Sequence, residues 1–451
     1  MNRDGTSAKG SQHSATWMAR AQSIVKTGRR PFVYAALVAL SWLYYYRPED
    51  FIPGLDYIPM AKIAGIIGLV ALIFGMMSGG KANVPRAVMY LWLLFFQMAL
   101  CVPFALWRGG AFTTVFEKFD KAVIVAMLIS MAVVTVRELR KLLWIQVSAI
   151  AFVTFFSIAL RHYQDGRLEG IQKSILENPN DLAINIAISF PLGMAFMLHA
   201  RGLKKAVWAF GLVFMALGVV LTYSRSGLMA LILSLAICVW QYGIKGKRRY
   251  IVVVTAVGLV VGLGAALSTA HYRARIESIV LGNIEGSGDK GSIEARKTLL
   301  KRSIMTAITH PLVGVGPGCF VLVDEGWYVA HNTYTELAAE AGIPALIFFL
   351  LAMWAAFKNL KESRKSQRYR EDPEVRLFTQ ALWAGLVAYL TGACFASTEY
   401  NLYPYFMVAY TCAMVRITSQ PLPNPVDPNE DRSLSRSIYD RIPRPQPILG
   451  R

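Results

Sequence analysis

Charge is scarce in this chain. Only 17% of its 451 residues are Asp, Glu, Lys or Arg, where a soluble domain carries about 25%. With 55% hydrophobic residues, a water-soluble fold of this composition would expose large apolar patches, and the length exceeds the roughly 250–300 residues that one compact core reaches. Cysteine is also sparse. Of the five, Cys101, Cys238, Cys394 and Cys412 lie inside apolar runs and only Cys319 lies in a long polar link. That distribution excludes a disulfide framework. The six histidines are His13, His162, His199, His271, His310 and His331. None stands three or four residues from another, so the paired helical ligands of a metal centre are missing. Ionisable residues are nearly absent from the middles of the apolar runs: Lys62, Asp181, Glu336 and Glu340 each fall near a run's end. Ion-coupled transporters usually need such intramembrane charges, and their absence weighs against one. No small-x-small cleavage site follows the first run, which ends Leu43-Tyr44-Tyr45-Tyr46-Arg47-Pro48. That run reads as an uncleaved signal anchor.

What the chain does have is apolar length. Runs of 17–25 residues suffice to cross a bilayer as helices. Twelve candidates occur, at 32–46, 59–77, 87–107, 119–136, 142–160, 182–199, 205–222, 227–243, 250–268, 334–357, 377–396 and 401–417. Several are apolar all round, which suits lipid and bundle packing better than a soluble surface. The expected fold is an all-α polytopic membrane protein. Its basic tail 1–30 precedes nine spans over 31–268. A link at 269–332, spans ten to twelve over 333–417 and a Pro-, Asn- and Ser-rich tail at 418–451 complete it. Both tails read as disordered. The formal net charge of +19 sets the orientation. The links 78–88, 137–141, 200–205, 243–250 and 358–376 hold 19 Lys and Arg, and the opposite short links hold 8. By the positive-inside rule both tails are expected on the cytoplasmic side of the membrane. The basic residues are thus topology signals, and a nucleic-acid partner is not expected.

Three polar segments on the expected outer side precede helix starts. The first runs from Arg161 and His162 through Arg167 and Gly170 to Asn178-Pro179-Asn180-Asp181, with Asn180 or Asp181 the natural N-cap. The second is Thr222-Tyr223-Ser224-Arg225-Ser226-Gly227, with an arginine close to the membrane and its serines available as caps. The third is His331-Asn332-Thr333-Tyr334-Thr335-Glu336, where Thr333 and Glu336 have capping-box spacing. Helix N-termini carry unpaired N–H groups and a positive dipole end, which favour phosphates. Arginine adds a planar fork for phosphate oxygens. The same positive end disfavours imidazolium and keeps His331 neutral, as a general base requires.

Plainer readings stand beside these. An arginine at a span end ordinarily anchors at the interface, and Arg161 reads that way before it reads as a ligand. Asn178-Pro179-Asn180-Asp181 is turn and cap chemistry. Gly314-Val315-Gly316-Pro317-Gly318 lacks the Lys-Ser/Thr of a phosphate loop and reads as a turn. Glu49 and Asp50 beside Arg47 read as solvated loop residues rather than metal ligands.

The segments Arg167-x-x-Gly170 with Asn178 to Ala183, Ser224-Arg225-Ser226-Gly227, Gly314 to Gly318, and His331-Asn332-Thr333-Tyr334 with Leu337 and Ala341-Gly342 resemble, in order and shared face, the O-antigen ligase superfamily. Ligases, polymerases and protein O-oligosaccharyltransferases fall within it. The resemblance implies glycan transfer from an undecaprenyl-diphosphate carrier to an acceptor hydroxyl at the periplasmic face, the acceptor being a glycolipid, a glycan or a protein. It implies no cofactor and no metal. Residue by residue, Arg225 matches an arginine near the carrier diphosphate, and Arg167 and less surely Arg161 match a second. His331 matches the histidine that activates the acceptor. Asn332, Glu399 and Asn180 are supporting candidates. Inverting direct transfer follows, with the amphipathic stretch Ile293 to Thr309 expected to cover the site. A polymerase of carrier-linked repeats, and a polysaccharide or lipid exporter, are the competing readings.

Overall fold

The structure, a computed structural model, describes residues 31–48, 60–77, 84–164, 166–170, 176–253, 289–323 and 328–420. Helices α1 (Pro31–Tyr46), α2 (Met60–Met77) and α3 (Arg86–Cys101) lead into a short α4 (Arg108–Thr113) and then α5 (Asp120–Ala132). Next come α6 (Val136–Ala159), α7 (Pro179–His199), α8 (Leu203–Leu221) and α9 (Arg225–Cys238). They are followed by α10 (Asp289–Thr309), α11 (Thr333–Lys365), α12 (Gln367–Glu371), α13 (Pro373–Ala393) and α14 (Leu402–Thr418). The hairpin β1 (Tyr163–Gln164) and β2 (Arg167–Leu168) separates α6 from α7. The fold is the all-α polytopic one expected. Six of the described helices are long and apolar enough to span a bilayer. The ninth expected run beyond residue 253, the link residues up to 288, the tails 1–30 and 421–451, and Glu49 and Asp50 lie outside the described residues.

Some boundaries differ from the apolar runs for local reasons. The run 87–107 ends as an α-helix at Cys101, because Pro103 carries the chain into a 3-10 turn over Val102–Phe104. The run 119–136 stops at Ala132, and Thr135 with Glu138 then forms a true capping box for α6.

Helix α7 is the axis of the bundle. Its apolar window is 83% buried, where that of α8 is 22% buried and faces outward. It packs against α6, α8, α9 and α13. Because lipid offers no hydrophobic drive for helix association, polar side chains hold the interior. Tyr45 of α1 donates to Gln146 Oε1 of α6 at 3.0 Å, and Gln146 donates to Ser189 Oγ of α7 at 3.2 Å. The Tyr45 and Tyr410 hydroxyls meet at 3.2 Å.

Two glycines set the geometry of one end. A Cβ on Gly227 would stand 2.2 Å from Cβ of Ala183, so only glycine lets the first turn of α9 lie on the first turn of α7. Gly342 breaks α11 with φ 81°. Pro344 follows and has no N–H for the carbonyl of Glu340. The 311–318 segment repairs the break. Val315 N–H donates to Ala339 O at 2.9 Å, Gly316 N–H to Glu340 O at 2.8 Å, and Ile343 N–H to Pro311 O at 2.8 Å. The glycine-rich turn is therefore a splint on a broken helix.

Candidate functional site

The three motif segments meet at this end. The hairpin carries Arg167 back over the helix starts. Its Nε donates to Thr222 O at 3.0 Å, and its Nη2 donates to Asn180 Oδ1 at 3.0 Å. One guanidinium thus ties the first segment to the second, and both acceptors are neutral. Asn178, not Asn180 or Asp181, caps α7: its side chain accepts from Asn180 N–H at 2.8 Å, and Pro179 takes the first helical position. The expected cap is corrected because the two later residues are committed elsewhere. Asn180 holds Arg167, and Asp181 accepts from Asn401 Nδ2 at 3.1 Å.

Ser224 caps α9 as expected, accepting from Gly227 N–H at 3.3 Å. Arg225, half-buried, is the first residue of that helix, three positions after the carbonyl that holds Arg167. Arg161 stands apart, exposed on the turn that ends α6.

His331 is held at φ 55°, the left-handed region that favours glycine. Its N–H donates to Ser397 Oγ at 3.1 Å, and the Ser397 hydroxyl donates to the Glu336 carboxylate. That carboxylate also accepts from Ala330 N–H at 2.9 Å. The capping box expected from Thr333 and Glu336 does not form. Asn332 caps α11 through Tyr334 and Thr335 N–H, at 3.0 and 3.1 Å. Thr333 donates instead to Ala396 O at 2.7 Å, and Glu336 reaches across to the 394–401 link. The His331 side chain is half-buried, and its pKa is lowered to about 4. Burial is the first cause, followed by the nearby positive charges of Arg296 and Arg167. These causes favour the neutral imidazole at pH 7. Arg167 lies near enough to His331 for its charge to act on the imidazole.

Arg296 on α10 is the residue that sequence reasoning passed over. It lies in the stretch expected to cover the site, and α10 packs on α11 with Ser303 Oγ donating to Thr335 Oγ1 at 2.8 Å. Arg296 stands about two turns before Ser303 on that same helix. No local motif marks it.

Behind the histidine lie buried acids. Glu340 accepts from Gly318 N–H at 2.8 Å, Phe320 N–H at 2.9 Å and the Tyr400 hydroxyl. Glu399, in the 394–401 link, is 2% exposed. Burial first, and then the Glu336 and Glu340 carboxylates, hold its acid well above the usual carboxylate range. It belongs to this inner cluster and not to the arginine face. Among the described residues no group of three His, Cys, Asp or Glu is placed to hold a metal ion. All five cysteines are free thiols.

Residues 210–350 match the family model described as O-Antigen ligase. The match spans under a third of the chain, and over that stretch the protein is similar to the O-antigen ligase family. The match contains Arg225, Arg296 and His331. Arg167 lies before it and is joined to it by the bond to Thr222. No curated protein matches the chain.

Proposed function

We propose that the protein moves a glycan from an undecaprenyl-diphosphate carrier to an acceptor hydroxyl at the periplasmic face, with inversion at the anomeric carbon. One observation carries the reading: two arginines from different elements, Arg167 and Arg296, lie close enough to His331 to lower its basicity. A neutral imidazole beside fixed positive charge suits a base facing a dianionic leaving group.

In this mechanism His331 takes the proton of the acceptor hydroxyl as its oxygen attacks the anomeric carbon. The new C–O bond forms as the bond from that carbon to the phosphate oxygen breaks. The electron pair leaves with the diphosphate, whose growing charge Arg167, Arg296 and Arg225 stabilise. Arg161 serves the interface. Asn180 fixes the Arg167 fork, and Asn332 fixes the helix start behind His331. Glu399 supports the link that carries Ser397.

The test is transfer from a labelled carrier-linked glycan in proteoliposomes, with the acceptor identified in the product. His331→Ala is expected to lose at least about a hundredfold in kcat, the range of one positioned acid–base group. Full transfer by His331→Ala at normal expression overturns the base assignment. Glycan crossing the vesicle wall with no new glycosidic bond overturns the transferase reading in favour of an exporter.

A further inference from the structure

At the end of the bundle opposite His331, a cleft of about 1730 Å³ opens between α6 and α8. Its mouth is basic. Arg137 and Lys141 rise from the first turns of α6, and Lys204 from the first turn of α8, all exposed. The acids nearby are committed. Glu374 is paired to Arg140 at 3.0 Å, and Glu138 accepts the N–H groups of Val134 and Thr135 at 2.9 and 3.0 Å. With Arg368 also lining the cleft and the Glu138 carboxylate opposing one of these charges, the mouth is net positive to whatever enters it.

The body of the cleft is apolar. Trp144 and Phe155 of α6 and Val207 and Phe210 of α8 line it, and each is a large side chain left open to the surroundings. Gly211 and Ala151 both line it and mark the close approach of the two helices, since a Cβ on Gly211 would meet that methyl at 3.6 Å. Fourteen helical residues separate Lys141 from Phe155, about 21 Å at 1.5 Å per residue. One leaflet of hydrocarbon is about 15 Å deep. A headgroup at the mouth therefore places its acyl chains along the whole apolar wall.

We propose that this cleft is a site for one anionic phospholipid, its phosphate held by Arg137, Lys141 and Lys204 and its chains lying between α6 and α8. Charge complementarity selects the occupant: a zwitterionic lipid brings its own cation to a mouth that is already net positive, and an anionic one does not. The site is separate from the diphosphate face and does not depend on the transferase reading.

The full chain in nanodiscs of equimolar phosphatidylglycerol and phosphatidylcholine, transferred to mild detergent, provides the test, with retained lipid counted by native mass spectrometry. Wild type is expected to keep one phosphatidylglycerol with a preference of tenfold or more, since each basic residue near a membrane surface contributes roughly fivefold. The triple variant Arg137→Gln, Lys141→Gln, Lys204→Gln is expected to lose the preference. Gly211→Phe is expected to lose retention while the mouth keeps its charge. Equal retention of both lipids by wild type overturns the proposal, as does an unchanged preference in the triple variant. Undiminished retention in Gly211→Phe overturns the placement of the chains.

Discussion

Ser397 holds the backbone of His331 without being a candidate for the chemistry. Its hydroxyl accepts from His331 N–H at 3.1 Å and donates to Glu336, and His331 sits at φ 55°. Ser397→Ala removes both bonds. An N–H left unsatisfied in a part-buried site costs about 1–3 kcal/mol. The left-handed conformation, on the order of 1–2 kcal/mol uphill for a residue with a Cβ, loses its restraint. Taking about 1.4 kcal/mol as the net bias, the productive pose becomes roughly tenfold rarer. The expectation is a kcat about tenfold lower, with KM for the carrier-linked donor unchanged, because Arg167 is held independently by Thr222 and Asn180. Ser397→Thr, which keeps the hydroxyl, is expected to restore most of the rate. Glu336→Gln sharpens the argument. Both donors to Glu336 meet the same oxygen, Oε2, so one amide oxygen can replace it. Glu336→Gln should stay within a few-fold of wild type, and Glu336→Ala should resemble Ser397→Ala. Steady-state transfer with purified, monodisperse variants measures this. Wild-type kcat in Ser397→Ala, or equal losses in the Ala and Thr variants, refutes the positioning role.

The pH dependence follows from the lowered His331 pKa. The base works when neutral, so the acid limb of kcat/KM for the free enzyme is expected near pH 4 rather than 6.5, and Arg296→Gln moves it upward by removing a charge that opposes protonation; a limb that stays in place in Arg296→Gln denies the electrostatic link. Glu340→Ala leaves the N–H groups of Gly318 and Phe320 without their acceptor. At about 1–3 kcal/mol each, that appears as a lower melting temperature in detergent, with Glu340→Gln in between.

Helices were legible in the sequence where the information is local. Apolar length is a property of a run itself, so α6, α8 and α9 fall close to the stretches 142–160, 205–222 and 227–243. The Ser224 cap was legible for the same reason, since a short side chain before an apolar run bonds within its own turn. The misread positions are those whose partners lie far along the chain. Asn180 and Glu336 both sit where a cap is expected. Their actual partners are Arg167 in a hairpin and Ser397 sixty-one residues later. Spacing cannot register such a competitor. The break in α11 is different, because its signal was present. Gly342 and Pro344 stand two residues apart inside an apolar run, and together they free carbonyls that something else must satisfy. Read that way, the glycine-rich 314–318 segment becomes a candidate partner before any coordinates exist.

The division of charge at the site follows from the same accounting of buried groups. A buried carboxylate is costly unless donors surround it, and loop backbones are rich in N–H groups that the apolar interior cannot satisfy. Glu340 takes those of Gly318 and Phe320, and Glu336 takes that of Ala330. The acids are thereby consumed in building the walls. An arginine fork cannot be used this way, since it only donates, and Arg167 donates to the neutral oxygens of Thr222 and Asn180. With these carboxylates turned inward to backbone, the charges that act on the histidine are those of Arg296 and Arg167. That polarity suits an anionic donor far better than a cationic or neutral one. The pairing of Arg167 with carbonyl and amide oxygens is therefore the feature to disturb. Placing a carboxylate at the same point, as in Asn180→Asp, keeps the geometry and cancels the charge, and weaker donor binding with unchanged folding is the outcome this polarity requires.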